Sequence, residues 1–385
     1  MDIIAKFENE ISSVLSGFPA GTIFLAAVSG GADSMAMLTA LCSLFLAPDS
    51  RFSVLHVEHG LRPEEESGGD AEFVSAFCKE RGIVCRVRRI PPGRIAAYAK
   101  RKGIGIEAAA RFFRHKALRA EVSLLKQRAM LGEHADIRVL TAHTKDDLLE
   151  TALMRVLRGC GPAGLAAMAE SKEQLTEDKA KIVRPLMALS RADVIAYLKA
   201  KGISWREDAT NADERFLRNR IRRRLVPLLD EAFPSWKAGV AAMAQTQALT
   251  ADFLADEARR LIVWECNNTR TSRKDAEAQS IAKISFLSTD EKNFFMQPLI
   301  VREEAVFQAI DMLLRKAKNP RSIKRAVVRR FCERETSLQN AQAAVEDGVK
   351  AADFGTVTAR REGGNILLAR KRKEFFECGI SALVR

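Results

Sequence analysis

The stretch TIFLAAVSGGADS, residues 22–34, decides the fold of this chain. Residues 22–28 form a short apolar run of β-prone residues, two glycines follow, and a helical pattern begins at Ser34. Gly30 and Gly31 allow the backbone to approach an anion closely, and the hydroxyls of Ser29 and Ser34 add donors. The dipole of the following helix favours negative charge at the same place. The sequence therefore predicts a strand, a phosphate-binding loop and a helix.

Asp33 gives this loop a second property. A carboxylate beside a polyphosphate repels it unless a cation lies between them, so Asp33 is predicted to bind Mg²⁺ held against the phosphates. The alternative is a strand–turn–helix corner in which Ser or Asp only caps the helix. The loop lacks the Gly-x-x-x-x-Gly-Lys-Ser/Thr pattern, which disfavours an ordinary P-loop NTPase.

Strand-like and helix-like segments alternate on both sides of the loop. Strands are predicted at 22–28, 52–57, 83–90 and 137–141, and helices at 34–45, 64–81, 107–127 and 145–157. This alternation is typical of an α/β parallel sheet covered on both faces. Helical patterns dominate later, and a hairpin is predicted within 356–370. We expect an α/β catalytic domain at 1–229, a mainly helical domain at 230–335 and a small C-terminal α/β region at 336–385.

The composition limits the classes of function. Lys plus Arg number 62 and Asp plus Glu number 49, which gives a net charge of +13 and favours a polyanionic partner such as nucleic acid. The alternative is charge used for solubility. Seven scattered cysteines without a Cys-x-x-Cys pair argue against a disulfide framework, a zinc ribbon or an iron–sulfur site. With no signal peptide pattern and no apolar run of membrane-spanning length, we expect a cytoplasmic protein without a membrane partner.

Acidic residues follow the fourth predicted strand. A helix beginning near Thr144 would place His143, Asp147 and Glu150 on one face, at the end of the strand where α/β sheets bind ligands. These side chains could hold Mg²⁺ or the ammonium group of a substrate. The alternative is N-terminal capping, with Thr144 as the cap and Asp146 and Asp147 balancing the helix dipole.

Arginines are concentrated on two predicted helices. Arg111 and Arg114 lie at helical spacing on the helix at 107–127, and arginine suits a phosphate or a pyrophosphate leaving group. A second helix, 216–229, carries arginines around its circumference, and a further basic zone lies at 315–330. Both fit an RNA backbone recognised by charge and shape. The alternative for each is a solvated helix face. The arginines in and immediately before the second helix are Arg215, Arg218, Arg220, Arg222, Arg223 and Arg224.

Several motifs in order resemble one family, the tRNA(Ile)-lysidine synthetases, which are PP-loop ATP pyrophosphatases with a Rossmann-like domain. The resemblance extends over residues 22–229 and is looser beyond. The motifs are Ser29 to Ser34, His56-Val57-Glu58-His59-Gly60, Glu107 to Arg111, Ala142 to Thr151, Arg158-Gly159, Arg184-Pro185-Leu186, Glu207 to Asn211, and Arg218 to Arg222.

The resemblance implies an ATP- and Mg²⁺-dependent ligase. It would adenylate C2 of the wobble cytidine in the CAU-anticodon isoleucine tRNA, and the ε-amine of L-lysine would then displace AMP. The codon read would change from AUG to AUA. The residues leave the oligomeric state open, a homodimer included.

Site roles follow from the same resemblance. The loop of Ser29, Gly30, Gly31, Ala32, Asp33 and Ser34 would hold ATP, with Asp33 at the metal. His143 and Arg111 would stabilise the reacting phosphate, and Asp147 and Glu150 would bind the lysine ammonium. Arg218 would act near the nucleotide or the tRNA. The remaining tRNA-binding candidates are Arg220, Arg222 and Arg223.

The chain departs from the usual pattern at three positions. Thr144 and Leu148 replace a His and a Gln in the motif of the acidic helix, and Glu58 replaces an Asp. Two alternatives stay open from the sequence: another PP-loop tRNA-modifying enzyme, such as a 2-thiolating one, and a non-catalytic RNA-binding protein with a degenerate loop.

Overall fold

A computed structural model describes residues 2–45, 51–61, 64–129, 136–166, 181–207, 217–271, 282–314, 325–333, 351–354 and 357–370. By packing, the chain divides into two compact units, Met1–Gln245 and Thr246–Arg385. Helix α11 begins in the first range and ends in the second. Within the described ranges, no helix is both long enough and apolar enough to cross a bilayer.

The first unit alternates strands and helices along the chain. Its strands are β1 (Ile23–Ala27), β2 (Phe52–Glu58), β3 (Cys85–Arg89), β4 (Ile137–Thr141) and β5 (Lys181–Val183). Its helices are α1 (Ile3–Ser16), α2 (Ala32–Leu44), α3 (Glu64–Glu80), α4 (Arg94–Lys102), α5 (Ile106–Ala129), α6 (Lys145–Arg158), α7 (Pro162–Ala166), α8 (Arg191–Ala200), α9 (Leu217–Arg220) and α10 (Val226–Ala232). A π-helical turn, Ile221–Leu225, joins α9 to α10, and α11 (Trp236–Leu261) follows.

The five strands form one parallel sheet in the order β3-β2-β1-β4-β5. The central strand β1 pairs with β2 on one side and with β4 on the other, and the last residues of β1 and β4, Ala27 and Thr141, are in register. Strands β2 and β3 are added on one side of β1, whereas β4 and β5 are added on its other side. The connections that follow β1 and β4 therefore run to opposite sides, and a crevice opens between the ends of these two strands. In open α/β sheets this switch point, beyond the carboxyl ends of the strands, is where ligands bind.

Alternate residues of the strands fill two cores, because successive side chains in a strand point to opposite faces. On one face Phe24, Ala26 and Val54 pack against α1, α2 and α8 in a large cluster. On the other face Leu25 and Val139 pack against α5. Burial on both faces explains why the central strand β1, Ile23–Ala27, is entirely apolar. The result is a rigid sheet whose carboxyl edge carries the loops described below.

The second unit contains a five-stranded antiparallel sheet in the order β6-β7-β10-β9-β8. The strands are β6 (Glu265–Thr271), β7 (Ala282–Asp290), β8 (Ala351–Asp353), β9 (Val357–Glu362) and β10 (Asn365–Arg370). The helices are α12 (Glu291–Met296), α13 (Leu299–Leu314) and α14 (Arg325–Glu333). Apolar residues of α13, α14 and the sheet share one core.

The predicted fold class is confirmed: a parallel α/β sheet is followed by helices and a small C-terminal sheet. The predicted hairpin is β9–β10, which turns at Gly363 and Gly364 with positive φ at both. No pattern in the sequence predicted α1, α4, β5, β6 or β7. The three-part division at residues 229 and 335 remains a prediction.

Candidate active site

The loop between β1 and α2 turns at Gly30, whose φ of +91° lies in the left-handed region that favours glycine. Two serines fix the loop from inside. The backbone N–H of Ser29 donates to Oγ of Ser34 over 3.2 Å, and the Ser34 hydroxyl donates to the carbonyl of Gly31 over 2.9 Å. Because the first N–H groups of a helix have no acceptor within it, the start of α2 offers donors to an anion.

Two residues hold the loop from outside. The backbone N–H of Arg206 donates to the carbonyl of Gly30 over 3.0 Å. The buried ring of His56 places Nδ1 2.9 Å from the carbonyl of Val28. Burial lowers the pKa of His56 below its usual value, which keeps this ring neutral at pH 7. The loop is therefore braced at Val28 and Gly30, and His56 has a structural contact here.

Asp33 lies in the first turn of α2 and faces Arg191. Nη1 of Arg191 is 3.0 Å from Oδ2 of Asp33, and the backbone N–H of Arg191 donates to Oδ2 of Asp146 over 2.6 Å. Burial raises the pKa of Asp33; the charge of Arg191 opposes this and that of Asp147 adds to it. Arg191, at the start of α8, thus connects the loop helix α2 to the acidic helix α6.

Oδ1 of Asp33 is one of the buried polar atoms in the described part of the chain that have no hydrogen-bond partner. An orphaned carboxylate oxygen is costly unless a ligand satisfies it, and Mg²⁺ beside phosphates is commonly held by one or two carboxylates. Within the described ranges no three His, Cys, Asp or Glu side chains are placed to share a metal ion. The donor set at Asp33 fits a metal whose remaining ligands come from phosphate and water.

The acidic residues of α6 bind two arginines. Glu150 is 3% exposed, and its Oε2 accepts a hydrogen bond from Nε of Arg218 over 2.8 Å. Nε of Arg222 donates to Oε1 of Glu150 over 2.5 Å. Nη2 of Arg218 donates to Oδ1 of Asp147 over 2.7 Å. Burial opposes the charge of Arg222, but the hydrogen bond and charge of Glu150 outweigh it, so the pKa of Arg222 is raised. Asp147 and Glu150 form a cation-binding pair.

Asp147 also has the capping role that the sequence left open. Its Oδ2 accepts from the backbone N–H of Thr144 over 2.8 Å and lies 3.2 Å from the Thr144 hydroxyl. Thr144 is the N-cap of α6 and is 3% exposed. One oxygen of Asp147 therefore caps the helix while the other binds a cation. Thr144, one of the departures from the usual motif, is the residue that fixes Asp147 in place.

His143 lies between these groups at the end of β4. Its Nδ1 is 3.0 Å from the hydroxyl of Thr141. Burial lowers the pKa of His143 to about 4; the charge of Asp147 acts in the opposite direction, and Arg184 and Arg114 lower it further. The ring is therefore neutral at pH 7. It can exchange hydrogen bonds with a ligand without adding positive charge.

The remaining candidates lie at different places. Arg111 is exposed on α5, and it is Arg114 of the same helix whose charge reaches His143. Arg220 and Arg223 are exposed. Arg218 and Arg222 lie about one helical turn apart, and they contact the carboxylates of Asp147 and Glu150. The tRNA-binding role of all four arginines and the role of Arg111 stay predictions. Residues 208–211 of one motif, Arg215, and most of the basic zone at 315–330 lie outside the described residues.

Sequence reasoning missed Arg191 and Arg206, which contact the loop from distant parts of the chain. Arg191 is 158 residues from Asp33, and no local pattern couples them. Its one signal is position: Ser190-Arg191-Ala192-Asp193 reads as a helix start, and Ser190 does accept from the N–H of Asp193. Because helix starts gather at the carboxyl edge of a parallel sheet, an arginine there is a candidate for the site.

Comparison with known proteins agrees with this geometry. The PP-loop domain family, ATP_bind_3, matches residues 4–229. A tRNA(Ile)-lysidine synthase from Treponema denticola is 40% identical over 216 residues, 56% of this chain and 43% of that protein. Another from Bradyrhizobium sp. (strain BTAi1) is 32% identical over 365 residues, 94% of this chain and 91% of that protein. Among solved structures, the U34-tRNA thiolase NcsA from Methanococcus maripaludis has a TM-score of 0.48 at 16% identity, covering 64% of this chain and 80% of that one.

These relatives differ in how much of their own length the chain matches. It spans 43% of the Treponema denticola protein and 34% of the one from Deinococcus radiodurans. The relative from Bradyrhizobium is matched almost end to end. Because its similarity extends over nearly all of both proteins and the PP-loop domain covers more than half of the chain, this chain belongs to the tRNA(Ile)-lysidine synthase family.

Proposed function

We propose that the chain is a tRNA(Ile)-lysidine synthetase that uses ATP and L-lysine. The C2 oxygen of the wobble cytidine attacks the α-phosphorus of ATP, and pyrophosphate leaves. The ε-amine of lysine then attacks C2, the C2–O bond breaks, and AMP leaves with that oxygen. The substrate is the isoleucine tRNA with a CAU anticodon.

The observation that carries this proposal is the pair Asp147 and Glu150 at the switch point of the sheet. These carboxylates bind cationic nitrogens at 2.5–2.8 Å and follow β4, whereas the phosphate loop follows the adjacent strand β1. An amine substrate and a nucleotide would therefore be held side by side. That arrangement suits the transfer of an amine to an adenylated carbon, because it brings nucleophile and electrophile into one crevice.

ATP is proposed to bind with its phosphates on the loop at residues 29–34. The braced backbone and the start of α2 provide donors, and Arg191 can turn from Asp33 to a phosphate oxygen. Asp33 would hold Mg²⁺ through the orphaned Oδ1. When bound, the metal would neutralise the charge that develops as pyrophosphate leaves.

Lysine is proposed to place its ammonium group on Asp147 and Glu150 before losing a proton to become the nucleophile. Arg218 and Arg222 occupy these carboxylates in the structure, so lysine must replace at least one arginine contact. A guanidinium released from Glu150 becomes available to phosphate groups of the nucleotide or the RNA. Lysine binding and RNA binding would then favour each other.

Lysine transfer is the direct test. The protein is incubated with ATP, Mg²⁺, labelled lysine and the CAU-anticodon isoleucine tRNA, with methionine tRNA as the matched control because it carries the same anticodon. We expect label on the isoleucine tRNA together with stoichiometric AMP and pyrophosphate. Binding of that tRNA without any lysine transfer contradicts the proposal. No specific observation favours the 2-thiolation or the non-catalytic alternative.

A further inference from the structure

Helix α4 and strand β3 carry an unusual concentration of one charge. Between residues 84 and 106 there are seven basic side chains and no acidic one. The seven are Arg86, Arg88, Arg89, Arg94, Lys100, Arg101 and Lys102. None of them belongs to the motifs that define the candidate active site, so their presence needs its own explanation.

The three arginines of β3 are paired with carboxylates of the domain, and Arg101 of α4 lies over the ring of Tyr98. Arg86 and Arg88 both bind Glu121, which is 2% exposed, and Arg89 binds Glu58 at 2.9 Å. The four on α4 are all exposed. We call Arg94, Lys100, Arg101 and Lys102 the α4 basic surface. The opposite side of the helix is apolar: Ile95, Tyr98 and Ala99 are buried against α5.

Helix stability accounts for only part of this surface. Lys100, Arg101 and Lys102 lie in the last turn of α4, where cations interact favourably with the helix dipole. Arg94 is the first residue of the helix, where a cation is disfavoured by the same dipole. Its N-cap is Gly93, with no side-chain cap to compensate. Because the helix dipole disfavours a cation at this position, the charge of Arg94 points to an anion outside the domain.

The α4 basic surface lies on the same edge of the sheet as the candidate active site. Strand β3 runs parallel to its neighbour β2, and α4 begins at Arg94, five residues after β3 ends at Arg89. The start of α4 therefore lies at the carboxyl edge of the sheet, and the first turns of α5 pack against α4. Tyr98 stacks on Phe112 with ring centroids 4.7 Å apart, which holds α4 against those turns. At 1.5 Å per residue, the α4–α5 junction is about 12 Å from Arg114 along the helix.

We propose that the α4 basic surface binds the sugar-phosphate backbone of the RNA whose base enters the active site. This inference rests on the proposed function and names a docking surface for its substrate. An RNA stem can contact a surface on this edge of the sheet while one unpaired base reaches the crevice. Recognition by exposed lysine and arginine tips implies binding by charge, with little base specificity.

Salt dependence tests the proposal. The variant Arg94→Gln/Lys100→Gln is compared with Lys79→Gln/Lys199→Gln, two exposed lysines in the last turns of α3 and α8. Affinity for an anticodon stem-loop RNA is measured by fluorescence anisotropy across a salt series. We expect the slope of log K against log salt to fall by about 2 in the α4 variant, with roughly tenfold weaker binding. The control pair should keep the wild-type slope.

The outcomes separate this proposal from the proposed function. Equal slopes for the α4 and control variants overturn the α4 basic surface, whatever the enzyme does. Wild-type protein that fails to transfer lysine to tRNA contradicts the proposed function and leaves the slopes interpretable. The single variant Arg94→Gln guards against misfolding, because removing a cation from a helix start should not lower the melting temperature. In this single variant the slope of log K against log salt should still fall by about 1.

Discussion

Arg222 binds Glu150 through both carboxylate oxygens, with Nε 2.5 Å from Oε1 and Nη2 3.1 Å from Oε2. Arg218 adds a third contact to the same carboxylate. Two guanidinium groups thus satisfy a carboxylate that is almost completely buried. This arrangement stabilises the charge of Glu150 and holds its carboxylate in place as the proposed cation site.

Glu150→Gln should weaken the proposed lysine site while keeping the shape of the side chain. We expect KM for lysine to rise by at least tenfold, because the neutral amide loses the charge-assisted contact with the ammonium group. Removing this buried charge also leaves Arg218 and Arg222 with Asp147 as their remaining acidic partner in the site. Since these arginines are about a third exposed, we expect a stability loss of about 1–3 kcal/mol. Lysine titration of the transfer reaction and thermal unfolding measure the two effects.

Glu303 offers a matched control for this variant. It is equally buried, at 3% exposed, and binds Arg325 and Arg329 in the second unit. Glu303→Gln should lower the melting temperature by a similar amount and leave KM for lysine unchanged. If both variants raise KM for lysine alike, the effect of Glu150 is one of stability, and its assignment to lysine binding is wrong.

Asp33→Asn should separate metal binding from folding. The Asp33–Arg191 pair is partly exposed, with side chains 26% and 41% accessible, so its loss should cost less than about 1 kcal/mol. AMP and pyrophosphate formation should fall on the order of 100-fold, because Asp33 is the proposed ligand of Mg²⁺ and a metal ion contributes several kcal/mol to phosphoryl chemistry. Affinity for tRNA should change little. A large loss of tRNA binding would show that Asp33 is part of the scaffold.

Local patterns accounted for the first sheet and its loop. The strands β1, β2 and β4 are largely apolar runs flanked by turn residues, and the phosphate loop is a contiguous motif, so each can be read without knowing its neighbours. The same holds for the cap of α6 by Thr144 and Asp147, where the two residues are three apart. Information that lies within one turn or one strand is available from the sequence.

Long-range partners were not available in this way. The sequence predicted arginines on the helix at 216–229. It did not predict that Arg218 and Arg222 would contact Glu150, which lies 68 and 72 residues earlier in the chain. Their spacing of four put both on one face, and the partner of that face depends on how the chain returns to the sheet. Strand β5 was missed because three residues give no periodicity.

The two glycines of the loop should respond differently to alanine. At Gly30, with φ +91°, a Cβ forces a strained backbone and should cost about 1–2 kcal/mol. At Gly31 the backbone is extended and an added Cβ meets only ordinary contacts, the nearest being Oγ of Ser29 at 3.7 Å. Gly31→Ala should therefore keep most of the stability but weaken ATP binding, because the methyl group stands where a phosphate approaches. Nucleotide titration and thermal unfolding check both variants.

The outcome for Gly31→Ala decides how close the nucleotide comes to the backbone. Wild-type ATP affinity in this variant contradicts the placement of the phosphates on the loop. A loss of affinity in Gly30→Ala alone is less informative, since strain at Gly30 also shifts the carbonyl that accepts from Arg206.

His143 should make folding stability depend on pH in a defined window. Its pKa is about 4 in the folded protein, below the usual value of 6.5, so the unfolded chain binds the proton first as the pH falls. The stability that the neutral ring contributes is fully present above pH 6.5 and decreases as the pH falls toward 4, by at most about 3 kcal/mol. His143→Gln should flatten the curve of unfolding free energy between pH 6.5 and 4, measured by denaturant titration at each pH. His56, whose pKa is also lowered, leaves a residual slope in the variant. An unchanged curve in His143→Gln means that the ring is already protonated or solvated in the folded protein, and that a neutral hydrogen-bonding role in the site is wrong.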